Sequence, residues 1–163
     1  MFPDLPNQTP KKIVYQNAYP RAKSCHSRLY RFGISQNNEQ LRAGAVRDRT
    51  RHEINILTCA LEELPNFQGD VFRGAAVEEG LLRQYRRVGE VITERAFVSA
   101  SRSPLKAFSG NVRFYIISKR SKEIGRWSTY PDEEEVLFPP NTRFKVLEYG
   151  RDGNEIEIFL EEL

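Results

Sequence analysis

Cysteine, histidine and long apolar runs are scarce in this chain of 163 residues, and each scarcity removes a class of protein. The two cysteines, Cys25 and Cys59, form no Cys-x-x-Cys pair and stand near no histidine at metal-ligand spacing. A structural metal is therefore not expected. His26 and His52 read as ordinary surface or helix positions. Two lone thiols without a disulfide framework read as free, and a Cys25–Cys59 bridge stays open on sequence alone. No run of about 18 apolar residues occurs, so no helical membrane span is expected. The opening Met1-Phe2-Pro3-Asp4-Leu5-Pro6 has neither a basic start nor an apolar stretch. The expectation is export, if any, without a cleavable signal peptide.

With 39% hydrophobic and 29% charged positions, the chain suits one globular core. Its net charge of +3 is unevenly spread. Residues 1–34 hold six basic side chains (Lys11, Lys12, Arg21, Lys23, Arg28 and Arg31) against Asp4 alone, whereas the remainder holds 19 basic and 21 acidic. Residues 1–34, with Pro3, Pro6, Pro10 and Pro20, are accordingly read as a basic, irregular arm, and 35–163 as the folded domain.

From Asn37 the pattern becomes regular. Leu41, then Ile54, Leu57, Leu61 and Leu64 at steps of three and four, predict helix with one buried face, ended by Pro65. A turn over 66–70 leads to a short strand, Asp70–Gly74. Val77–Arg87 reads as a second short helix closed by Gly89. Val91–Thr93, Ala96–Ser101, Val112–Ser118 and Glu135–Phe138 read as strands, with a polar loop over Lys119–Asp132. Thr142–Tyr149 and Glu155–Leu160 flank Gly150-Arg151-Asp152-Gly153, a hairpin signal. Helices followed by strands make the class α+β.

The segment Tyr130-Pro131-Asp132-Glu133-Glu134-Glu135-Val136-Leu137-Phe138 sets three mutually repelling carboxylates at the mouth of an apolar strand. In an extended chain Glu133 and Glu135 share one face, about 6–7 Å apart, and Glu134 points away. Such a pair suits a reaction with one negative group beside a developing cation and another beside a cationic acceptor. A solvated acidic turn is the bland alternative.

Upstream lie Val71-Phe72-Arg73-Gly74 and Phe97-Val98-Ser99-Ala100-Ser101. In order and spacing the three segments resemble the arginine, Ser-Thr-Ser and Glu-x-Glu motifs of the mono-ADP-ribosyltransferase family, over about residues 37–149. The resemblance extends to Asn38–Gly44, Ser128–Pro131 and Thr142–Val146. It implies a core of two packed, mainly antiparallel sheets with a reduced N-terminal helical part. It also implies NAD as substrate, no metal, and transfer of ADP-ribose to an acceptor protein, arginine being the side chain modified.

On that resemblance Arg73 would hold the diphosphate with its fork of donors, and the Gly74 backbone would approach the nicotinamide amide. Ser99 would position the catalytic Glu135, which stabilises the ribosyl cation. Glu133 would read the acceptor guanidinium, since asparagine-modifying relatives carry glutamine there. Phe108 is a candidate for packing on the cofactor, and Trp127 and Tyr130 for gripping the acceptor. Ala100 departs from the usual threonine, and on an alternating strand that loss falls on packing rather than chemistry. No arginine follows Phe108 within three positions, where some relatives place a further phosphate contact.

The same constellation serves an NAD glycohydrolase, and a catalytically degenerate binding protein of this fold is a third reading. Nucleic-acid binding is not expected, because no aromatic-interleaved basic patch appears in the core. Family habit points to a bacterial toxin or effector, a virulence factor secreted or translocated into a target cell and acting in its cytoplasm.

Overall fold

A computed structural model of the chain describes residues 34–107, 109–124 and 134–163. The expected arm up to residue 33, Phe108, and the stretch holding Trp127, Tyr130 and Glu133 lie outside the described residues. Two helices, α1 (Ile34–Ala43) and α2 (Asp48–Glu62), precede β1 (Asn66–Ala75) and a one-turn α3 (Glu79–Leu82). There follow β2 (Val91–Glu94), β3 (Val98–Ser101), a 3-10 turn (Pro104–Lys106), β4 (Val112–Glu123), β5 (Glu135–Phe138), β6 (Thr142–Asp152) and β7 (Glu155–Glu162).

Gly44, at φ +71°, terminates α1 in the left-handed region that glycine enters at least cost. The next helix, α2, buries Ile54 and Leu61 and stops before Pro65, as its periodicity predicts. Strand β1 begins earlier than expected. The presumed turn over 66–70 is a bulged strand, with the register shift between Phe67 and Gly69 and Gly69 at φ +142°. The helix expected over Val77–Arg87 is the single turn α3.

All seven strands join in the order β1-β3-β5-β4-β7-β6-β2, with a further β1–β4 pairing that closes β1, β3, β5 and β4 into a ring. Every pairing is antiparallel except β4 with β7. The two expected layers are thus halves of one continuous sheet hinged at β4. Their inner faces meet in a core that draws on all seven strands, including Val71, Val98, Phe114, Val136, Phe138, Phe144 and Ile158. Phe138 and Phe144 pack edge to face there, 5.2 Å between centroids.

A second core lies under the helices, where Ile54 and Leu61 of α2 meet Phe97, Ile124 and Leu137. Strand β5 is therefore buried on both faces, which is why Val136-Leu137-Phe138 is an unbroken apolar run.

Strand β4 runs on through Glu123, where a loop was expected from Lys119. The cause is Glu162, at 1% exposure, whose Oε2 accepts the backbone N–H groups of Lys119 and Arg120, both at 2.7 Å. Polar residues thereby enter the sheet with their donors satisfied. The last hairpin also runs longer than expected, with Gly150-Arg151-Asp152 in β6 and the turn at Gly153, φ +58°.

Candidate active site

Three chain segments that are distant in sequence are adjacent in the sheet because β3 lies between β1 and β5. Phe72 pairs with Ser101, and Ser101 in turn with Glu135. This register places Arg73, Ser99 and Glu135 at one shallow cleft, whose walls also include Phe72, Ser101 and Lys106.

Ser99 Oγ donates to Glu135 Oε1 at 2.5 Å, and Arg73 Nη1 donates to the Ser99 carbonyl at 2.6 Å. The serine is therefore gripped through its backbone by the arginine and grips the carboxylate through its hydroxyl. Glu135 is only 8% exposed, and a charged acceptor held by a hydroxyl in such surroundings is bound more strongly than it would be in water. Ala100, 5% exposed, belongs to the main core and also borders the cleft between Ser99 and Ser101.

Arg73 bounds a second cavity as well, shared with Arg42 of α1, Tyr85 and Glu94. Burial, first, and then the Arg42 charge push the Arg73 guanidinium below its ordinary value, against the opposing pull of Glu94, Tyr85 and Glu135. A cation held under such conditions is favoured by an added anion. Burial, then Glu94, raise the Tyr85 phenol to about 12. Glu94 stands near Arg42, with Arg42 Nε 3.8 Å from its Oε1.

Helix α1 is fastened to the site by Asn38, whose side chain accepts the Phe97 N–H at 2.9 Å and donates to the Phe97 carbonyl at 3.1 Å. Two residues on, β3 carries Ser99. Gly110 fixes the far end of the loop after β3, because a Cβ there would lie 2.2 Å from the Ala75 carbonyl oxygen. Asn111 exchanges two hydrogen bonds with Val77 beside it.

Of the residues expected from sequence, Arg73, Ser99 and Glu135 converge. Gly74 is buried next to Arg73 and paired with Arg113 across to β4, outside the lining of the cleft. Phe108, Trp127, Tyr130 and Glu133 lie outside the described residues. The expectation that Glu133 and Glu135 share a face rested on extended chain, and the backbone departs from it: Glu134 has φ +49° and β5 starts only at Glu135. Sequence reasoning missed Arg42, Glu94, Tyr85 and Lys106 as neighbours of the cleft. Arg42 alone had a signal, standing in the Asn38–Gly44 stretch already singled out.

Among the described residues no group of three or more His, Cys, Asp or Glu side chains is placed to hold a metal ion. No helix there is long and apolar enough to cross a membrane.

The architecture is that of solved ADP-ribosyltransferases. The Vis toxin of Vibrio splendidus in complex with agmatine superposes with a TM-score of 0.73 at 24% identity, covering 98% of this chain and 88% of that one. HopU1 of Pseudomonas syringae gives 0.70 at 24% identity, over 79% of this chain and 65% of its own. Among sequences, the Mav protein of Mycobacterium avium, named a putative NAD(+)–arginine ADP-ribosyltransferase, is 40% identical over 119 residues, or 71% of this chain. Vis is 32% identical over 148 residues. The chain spans 14% of the length of Mav and 59% of that of Vis. The family model for NAD:arginine ADP-ribosyltransferase matches residues 24–163, and the chain belongs to that family.

Proposed function

We propose that the chain cleaves the nicotinamide–ribose bond of NAD and passes the ADP-ribose to arginine side chains of an acceptor protein. The observation that carries this reading is the Arg73–Ser99–Glu135 chain of hydrogen bonds lining one cleft. As the carbon–nitrogen bond breaks, its electron pair goes to the nicotinamide ring and neutralises it, leaving a cation spread over the ribose carbon and ring oxygen. Glu135, held by Ser99, supplies a fixed negative charge at that point. In a poorly hydrated cleft such a contact is worth about 3–4 kcal/mol.

Arg73, whose charge is undercompensated, favours the dinucleotide's diphosphate, and Arg42 across the second cavity adds to that field. Gly74 takes the nicotinamide end and Phe108 packs on the cofactor in this reading. A nitrogen of the acceptor guanidinium then attacks the ribose carbon and gives up one proton. Glu133 is the carboxylate assigned to bind that guanidinium and receive the proton, and Trp127 and Tyr130 are assigned to hold the acceptor protein. No metal takes part. Relatives named as toxins and effectors support delivery into another cell and action in its cytoplasm.

Incubation with labelled NAD and agmatine tests the reading. Label is expected on agmatine with the wild type, and Glu133→Gln is expected to lose transfer while still releasing nicotinamide. Wild-type protein that leaves agmatine unlabelled contradicts it.

A further inference from the structure

Among the described residues two cationic side chains line the cleft, Arg73 and Lys106. Arg73 is committed in part, since its Nη1 donates to the Ser99 carbonyl at 2.6 Å, and Arg42 faces the second cavity rather than this one. The diphosphate that the proposed reaction brings to the cleft carries two negative charges, so a single guanidinium leaves one of them unmatched there. Lys106 is the remaining cation. It closes the 3-10 turn Pro104–Lys106, its N–H donated to the Ser103 carbonyl at 3.1 Å, so its stem starts from a fixed point on the cleft wall.

In the free protein Lys106 Nζ lies 3.2 Å from Glu134 Oε1, and the two side chains are 40% and 38% exposed. Water screens such a pair, and it holds weakly. Glu134 does not depend on it. Its Oε2 lies 3.6 Å from Arg102 Nη2 and its carbonyl accepts the Arg102 N–H at 3.1 Å, while Arg102 Nη1 lies 3.3 Å from Glu123 of β4. Lys106 is thus free to leave without stripping the carboxylate of its other cation, and its flexible four-carbon stem carries the ammonium where a rigid fork would not follow.

We propose that Lys106 is a second diphosphate-binding residue, parked on Glu134 until NAD arrives and then passed to the phosphates, so that Glu134 sets how readily the cleft takes the dinucleotide. The inference rests on the transferase reading above. Glu134 and the diphosphate compete for one ammonium, and the apparent affinity for NAD is reduced by the fraction of molecules in which Lys106 is held. Breaking the same ion pair from its two ends therefore has opposite effects on affinity, which loss of a merely structural contact would not.

The experiment compares wild type, Lys106→Met, Lys106→Arg, Glu134→Gln and the double variant of Lys106→Met with Glu134→Gln, each checked for an unchanged unfolding midpoint. Calorimetric titration with ADP-ribose, which keeps the diphosphate and lacks nicotinamide, gives Kd, and nicotinamide release from NAD gives KM and kcat. Lys106→Met is expected to raise the ADP-ribose Kd and the NAD KM roughly threefold to fivefold, the range of a partly exposed charge contact. Its kcat is expected to stay within about twofold, because the contact is made equally before and during bond breaking. Lys106→Arg is expected to stay near the wild type. Glu134→Gln is expected to lower Kd and KM by about twofold, and to change neither in the Lys106→Met background, since it acts through Lys106. An ADP-ribose Kd unchanged in Lys106→Met, a Glu134→Gln shift in the same direction as that of Lys106→Met, or one that persists in the double variant, overturns the proposal while the transferase reading stands. Wild-type protein that releases no nicotinamide overturns both.

Discussion

Ser99 Oγ donates to the Glu135 carboxylate at 2.5 Å while the Ser99 carbonyl accepts from Arg73 Nη1 at 2.6 Å, so one serine joins a cation and a carboxylate of the cleft. The contact to Glu135 is made by the hydroxyl alone, and Ser99→Ala deletes it without moving the backbone that Arg73 grips. A hydrogen bond to a charged group contributes about 1.5–3 kcal/mol, so turnover of NAD is expected to fall roughly tenfold to a hundredfold. Steady-state nicotinamide release gives kcat and KM separately, and KM for NAD is expected to stay within about twofold, since the loss is felt as charge develops.

Arg73→Lys tests the diphosphate-holding role proposed for Arg73. Lysine keeps a charge but has no planar fork, and it cannot both reach the Ser99 carbonyl and clasp a diphosphate. The expected result is kcat/KM for NAD down by about ten- to a hundredfold, with KM carrying part of the loss. Calorimetric titration with NAD checks the binding component directly.

Tyr85 gives the fold an alkaline limit. An unfolded tyrosine ionises near 10, and in the folded chain burial raises this one to about 12. Between those values the unfolded chain releases the proton and the folded chain keeps it. Stability present below about pH 10 is therefore lost as pH rises towards 12, by about 2–3 kcal/mol at most from this group. Urea unfolding across pH 9–12 is expected to show a shallower alkaline decline in Tyr85→Phe than in the wild type.

Glu162 closes the sheet beneath the site. Its carboxylate accepts two backbone N–H groups of β4 and lies 3.5 Å from Arg120 Nε, almost wholly out of solvent. Glu162→Leu removes the acceptor of both N–H groups, and a loss of about 1–3 kcal/mol in unfolding free energy is expected. Glu162→Gln, which retains one carbonyl acceptor, is expected to cost less in the same denaturant titration.

The helix ending at Pro65 and the strands at Ala96–Ser101 and Glu135–Phe138 were legible in sequence because periodicity is a local property, whereas the convergence of Arg73, Ser99 and Glu135 was implied only by the resemblance to the family's motifs. The extension of β4 past Ser118 was not. It depends on Glu162, far along the chain, satisfying amides that local propensity marks as loop. Likewise the run Glu133-Glu134-Glu135 reads as extended by composition, whereas Glu134 has φ +49° and its side chain meets Arg102 and Lys106, partners remote in sequence. Arg42 stood in the Asn38–Gly44 stretch already singled out, but its meeting with Glu94 and Arg73 at the second cavity was not legible, because no linear pattern reports which faces of α1 and β2 come together.

The central claim is that Glu135 supplies the charge that makes NAD cleavage fast. Its most direct test is the rate of nicotinamide release from NAD by the wild type and by Glu135→Ala, at matched folding and saturating NAD. The account predicts turnover by the wild type and a fall of roughly two to three orders of magnitude or more in the variant. Equal rates in the two proteins, or none in the wild type, would contradict it.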